Sequence, residues 1–124
     1  MRTSPLFGTL DLALPEIEKL GKLRAPTEAC GILLDRQWWR GTQMSFIKEL
    51  PNRSMGAPDT YQVDMADIKL ALEGLDDVEE VAVWHTHPSG LIGPSRLDMV
   101  QRPPADIFMI VVALTEDGPI PAWF

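Results

Sequence analysis

The chain has 124 residues, 45% hydrophobic and 23% charged, which allows one buried core and excludes two, so a single domain over 1–124 is expected. Its net charge of −7, with eleven scattered basic residues, repels a phosphate backbone and excludes nucleic acid as an expected partner. One cysteine excludes an internal disulfide and a thiolate-rich zinc site, and no apolar run reaches the roughly 20 residues that cross a bilayer, so a soluble, cytoplasmic protein is expected.

"LPEIEKLGKL" (14–23) predicts a first helix, with Pro15 at an early helical position, Ile17, Leu20 and Leu23 at near-helical spacing, and Arg24-Ala25-Pro26 as its stop. "EACGILL" (28–34) is too short for a helix and predicts a buried strand. Residues 37–50 predict one or two strands with a bend at Gly41, and the Pro-, Asn- and Ser-rich 51–60 predicts a loop, either a lid or a plain connection. Asp64 is a natural N-cap for a second helix with Met65, Ile68 and Leu72 on one face and Gly74 near its end. The acidic Asp76-Asp77 and Glu79-Glu80 that follow predict a solvated turn. In "EVAVWHTH" (80–87) strand periodicity puts Val81, Val83, His85 and His87 on one face, and Ala82, Trp84 and Thr86 on the other. "DIFMIVVAL" (106–114) predicts a central strand covered on both faces, and "DGPIPAWF" (117–124) a turn and a short edge strand. Helices interspersed among such strands make an α/β sandwich, a mixed β-sheet flanked by helices.

His85 and His87 are the only histidines, and strand pleating aims both at one point. Imidazole is a common zinc ligand, but one ion needs a third protein ligand. "PSGLIGP" turns the chain back; Ser95 then caps a short helix "SRLDMV" and places Asp98 one turn on. Two histidines and one aspartate leave the fourth position of a tetrahedral zinc to water, the catalytic arrangement, although the same set accepts other divalent ions. Taken singly, each feature has a plain alternative. Ser-x-x-Asp is an ordinary capping box, and histidines in a strand usually just satisfy hydrogen bonds.

The order His85-x-His87, seven residues, Ser95-x-x-Asp98 resembles the motif of the JAMM, or MPN+, zinc metallopeptidases, and "PTEACGILL" resembles the segment carrying the upstream glutamate of their short prokaryotic and phage members. The resemblance runs from about Leu14 to Leu114 and implies a cytidine-deaminase-like sandwich. It further implies that His85, His87 and Asp98 hold one Zn2+, that Glu28 is the general base acting on the zinc-bound water, and that Ser95 donates to the tetrahedral oxyanion. The substrate it implies is a protein or peptide, including the C-terminal tail of a ubiquitin-like protein cut at a peptide or isopeptide bond. The other reading it leaves open is an assembly module of a phage tail or scaffold; the acidic charge and the "PTEACGILL" start weigh against a RadC-like role. Cys30 as a nucleophile is a weaker reading, because it lies in an apolar run where a thiol packs as a small hydrophobe. Trp38, Trp39, Trp84 and Trp123 are candidates for a substrate groove, though tryptophan more often packs in a core.

Overall fold

A computed structural model of the chain describes residues 6–36, 47–54, 60–75, 78–100 and 107–124. Strands β1 (Cys30–Arg36), β2 (Ile47–Leu50), β3 (Val78–His87), β4 (Phe108–Thr115) and β5 (Gly118–Trp123) form one sheet in the order β2-β1-β3-β4-β5. The β3–β4 pair is parallel and the other three pairs are antiparallel. The helices are α1 (Leu6–Arg24), α2 (Met65–Leu72) and α3 (Arg96–Val100), the last lying in the crossover that a parallel pair requires.

Period-two alternation sorts the strands into two cores. Leu33, Ala82, Trp84, Ile110 and Val112 meet Leu10, Ala13 and Ile17 of α1 on one face. On the other face Ile32, Leu34, Val83 and Met109 meet Ile68 of α2. The single α/β domain is therefore a mixed sheet flanked by helices, with His85 and His87 on the α2 side. At the centre Trp84 stands opposite Gly31 and its Nε1 donates to Ile32 O at 3.2 Å. Gly31 is needed for room: a Cβ there would collide with Lys48 O and lie 2.5 Å from Trp84 Cζ2.

Several elements differ from the predicted ones. The first helix begins at Leu6, not 14, and carries Pro15 inside it. A proline there forfeits one hydrogen bond and costs about 3 kcal/mol. Pro15 is on the exposed face, however, while Leu10, Ala13 and Ile17 continue one buried stripe, and burial stabilises by roughly 1.5–3 kcal/mol per large side chain. The first strand runs from Cys30, because Glu28 and Ala29 lead into it as an extended approach. Asp64 caps α2 as expected, its side chain accepting from Ala66 N at 2.9 Å, and Ile68 is buried, but Met65 is 54% exposed in the first turn. β3 is the central strand; β4 lies inside the sheet beside it, covered on both faces, and β5 is at the edge. Trp84 is core, and Trp123 packs edge-on against Phe108, so neither forms a groove beside the histidines. The strand predicted before residue 47 with its bend at Gly41, Trp38, Trp39, the 55–59 part of the loop and Asp76-Asp77 lie outside the described residues. Among the described residues no helix is long and apolar enough to cross a membrane.

Candidate metal centre

Strand register brings Glu28 to the histidines. Cys30 pairs with His85 in the β1–β3 ladder. The ladder continues one residue further, where Thr86 N donates to Ala29 O at 2.9 Å and Ala29 N to Thr86 Oγ1 at 3.0 Å. One more step sets Glu28 beside His87 on the same face, and Glu28 Oε2 lies 3.8 Å from His87 Nε2.

After His87 the chain reverses, with Gly90 N donating to His87 O at 3.0 Å. Gly90 and Gly93 take φ of 84° and 82°, a region that side chains with a Cβ rarely enter. Ser95 then caps α3 reciprocally: Asp98 N donates to Ser95 Oγ at 3.1 Å and Ser95 N to Asp98 Oδ2 at 2.8 Å. The cap turns the Asp98 carboxylate inward, where His87 Nε2 bonds Oδ2 at 3.0 Å and His85 Nε2 stands 3.1 Å from the same oxygen, out of line for a hydrogen bond.

Glu28, His85, His87 and Asp98 thus form a buried group whose ligand atoms all lie within 4.8 Å of one another. Ser95 shares with Glu28 and His87 a cleft of about 720 Å³ that Ala25, Pro26 and Leu91 also line. The residues predicted for the site are all brought together; Ser95 serves as the cap of α3 and faces the cleft.

The electrostatics of the group are those of a cation site. Burial pushes His85 below its ordinary value despite the nearby Asp98, so its ring is neutral. Burial also opposes charge on His87, but the hydrogen bonds to Asp98 and Leu91 O, with Glu28 close by, raise it overall. Burial likewise opposes charge on Asp98, yet the approach of both histidines and the Ser95 N–H hold it well below the usual carboxylate range. His85 is fully buried, and neither of its ring nitrogens has a hydrogen-bond partner among the described residues. An unsatisfied buried polar atom costs about 1–3 kcal/mol. A divalent ion held by the group would satisfy one of these nitrogens, and neutral imidazole with carboxylate is a fitting donor set. Cys30 is no rival nucleophile: burial first, then Glu49, Glu28 and Asp67, push its thiol up to about 12, and its Sγ lies 3.6 Å from Leu50 O.

The chain belongs to a known family. The family model described as prokaryotic homologs of the JAB domain matches residues 13–124. Among solved structures, the solution structure of protein DSY2949 from Desulfitobacterium hafniense is similar, with a TM-score of 0.71 at 19% identity over 91% of this chain and 79% of that one. At that identity the likeness speaks for the fold. No curated protein matches the chain. The family that the motif resembles and the α/β fold are both borne out.

Three further groups, outside the motif, stand against this JAB-type site. The Tyr61 ring stacks on His85 at a centroid distance of 4.0 Å and an interplanar angle of 19°. Leu91 O accepts from His87 Nδ1 at 3.0 Å. Asn52 Nδ2 donates to Glu28 O at 2.9 Å. Of the three, only Asn52 left a trace: Asn-x-Ser is the composition of an Asx turn, and Ser54 N indeed donates to Asn52 Oδ1 at 3.0 Å.

Proposed function

We propose that the protein is a zinc metallopeptidase that hydrolyses a peptide or isopeptide bond, with His85, His87 and Asp98 holding Zn2+ and Glu28 as the general base. The observation that carries this reading is the buried four-residue group in which the His85 ring nitrogens lack hydrogen-bond partners while a second carboxylate, Glu28, stands at the cleft. A bound zinc lowers the pKa of a coordinated water toward about 7 and polarises the scissile carbonyl. Glu28 takes the proton of the attacking water and returns it to the leaving amine nitrogen. Ser95 Oγ accepts from Asp98 N, which leaves its own proton to donate to the carbonyl oxygen as that oxygen gains charge, a contribution worth about 3 kcal/mol at such positions.

Ala25, Pro26 and Pro88 line the cleft without long side chains, which suits an extended chain such as the C-terminal tail of a ubiquitin-like protein. Membership of the JAB family supports the same substrate class.

Elemental analysis of purified protein tests the site: one zinc per chain is expected in the wild type and none in Asp98→Ala. Glu28→Gln is expected to keep zinc and to lose cleavage of ubiquitin-like proteins extended at their C-termini. A Glu28→Gln variant that cleaved at the wild-type rate would remove Glu28 from the base role. Protein that takes up no metal after zinc is offered would sink the peptidase reading and favour a structural module of a larger assembly.

A further inference from the structure

His85 and His87 are held in different ways. Metal-ligating histidines are generally oriented by a hydrogen bond from the ring nitrogen that faces away from the ion. His87 has that bond, to Leu91 O. His85 has none among the described residues, although its ring is fully buried. What lies against it is aromatic: Tyr61 stacked on its face, with the edge contacts of His87 at 5.0 Å and Phe124 at 6.1 Å.

The placement of Tyr61 is in turn set by one side chain. Asn52 Nδ2 donates to Thr60 O at 3.3 Å and Asn52 Oδ1 accepts from Gln62 N at 3.1 Å, so the residues on either side of Tyr61 are both tied to Asn52. A backbone bond, Arg53 N to Gln62 O at 2.8 Å, closes the same loop. Through its bond to Glu28 O, Asn52 also reaches the segment that carries the proposed base. These four hydrogen bonds use the whole donor and acceptor capacity of the half-buried Asn52 amide, two donated and two accepted, so its orientation is fixed.

We propose that Tyr61 and Asn52 are positioning residues for His85: the Tyr61 ring, held by the Asn52 side chain, replaces the missing hydrogen bond, so these two residues set how tightly the ion is bound. This rests on the reading of the group as a metal centre. The ring acts by covering the imidazole face and restricting its rotation, and for that the phenol oxygen is dispensable.

The test is zinc affinity, measured by competition with a chromophoric chelator, together with the visible spectrum of the Co2+-substituted protein. Tyr61→Phe is expected to match the wild type in both. Tyr61→Leu and Asn52→Ala are expected to weaken zinc binding by roughly 10–100-fold, the usual range for residues that orient a ligand, and to change the cobalt bands. Arg53→Ala is the control in the same loop: it breaks only the exposed pair with Asp67 and should leave affinity unchanged. A purely structural role would lower the melting temperature of metal-free Tyr61→Leu while leaving the affinity of its folded fraction at the wild-type value, and that result overturns the proposal. So does a Tyr61→Phe variant as weak as Tyr61→Leu. If Tyr61→Leu does not fold, Asn52→Ala decides: wild-type affinity there rejects the clamp. Wild-type protein that binds no zinc at all rejects the metal centre itself, an outcome distinct from the others.

Discussion

Replacing Asp98 by asparagine keeps the shape of the side chain and removes its charge. In the metal-free protein His87 donates from Nδ1 to Leu91 O and from Nε2 to Asp98 Oδ2, so both nitrogens carry protons and the pair is an imidazolium against a carboxylate. The two residues are only 3% and 5% exposed, so solvent screens the pair little. Removing one partner of a buried ion pair costs about 3–5 kcal/mol. Glu28 Oε2 remains 3.8 Å from His87, and the ring is able to release its proton, so the expected cost falls below that range, to about 2–3 kcal/mol at pH 6. For a domain of 124 residues this corresponds to a drop of roughly 8–12 °C in Tm.

The sign of the pH dependence follows from the two shifts. Asp98 is depressed below its ordinary 3.8, so its contribution is present above that value and is lost as pH falls through the folded one. His87 is raised above its ordinary 6.5, so its contribution is complete below 6.5 and is lost as pH rises through the folded value. Both are in force between about pH 4 and 6.5. His85, buried neutral, costs stability as pH falls below 6.5, and because Asp98 partly offsets that burial, Asp98→Asn bears somewhat more of the cost, which adds to the gap at pH 6. Thermal melts in EDTA at pH 6 and pH 9 should therefore show a large gap between wild type and Asp98→Asn at pH 6 and a smaller one at pH 9. A gap under about 2 °C at pH 6, or one that widens with pH, would refute the charged-pair account.

Two further outcomes are expected. Zinc held as proposed would displace the His87 proton now shared with Asp98, so the apparent zinc affinity should rise roughly tenfold per pH unit up to the raised His87 value and flatten above it; a competition titration independent of pH would contradict this. Gly31→Ala should destabilise by about 3 kcal/mol, because the new methyl meets backbone at Lys48 and the indole of Trp84, yet the folded fraction should keep its zinc affinity because Trp84 points to the face opposite His85; chemical denaturation and chelator competition together check both halves.

How much of this was legible in the sequence depends on whether a feature is set locally or by register. The shared face of His85 and His87 is a local property of strand pleating, and the reversal and cap that return Asp98 are written in Gly90, Gly93 and Ser95, so three members of the group could be read from a short stretch. The extent of α1 is hidden locally because Pro15 has the form of a start signal, although Leu10, Ala13 and Ile17 keep helical spacing across it. Glu28 is different. Nothing within "PTEACGILL" says what faces it, and its adjacency to His87 comes from the Ala29–Thr86 bonds, made between residues 57 apart. Only a family motif supplied it from sequence. Tyr61 was invisible for the same reason without such help, since an aromatic in a polar loop has no period to reveal its contact with His85, and Asn52 showed only the composition of an Asx turn. Orientation is thus encoded near the residue that shows it, whereas the identity of a neighbour is encoded in the whole ladder. For this reason the two histidines and Asp98 could be read from one segment, whereas Glu28 needed the family motif and the places of Tyr61 and Asn52 needed the fold.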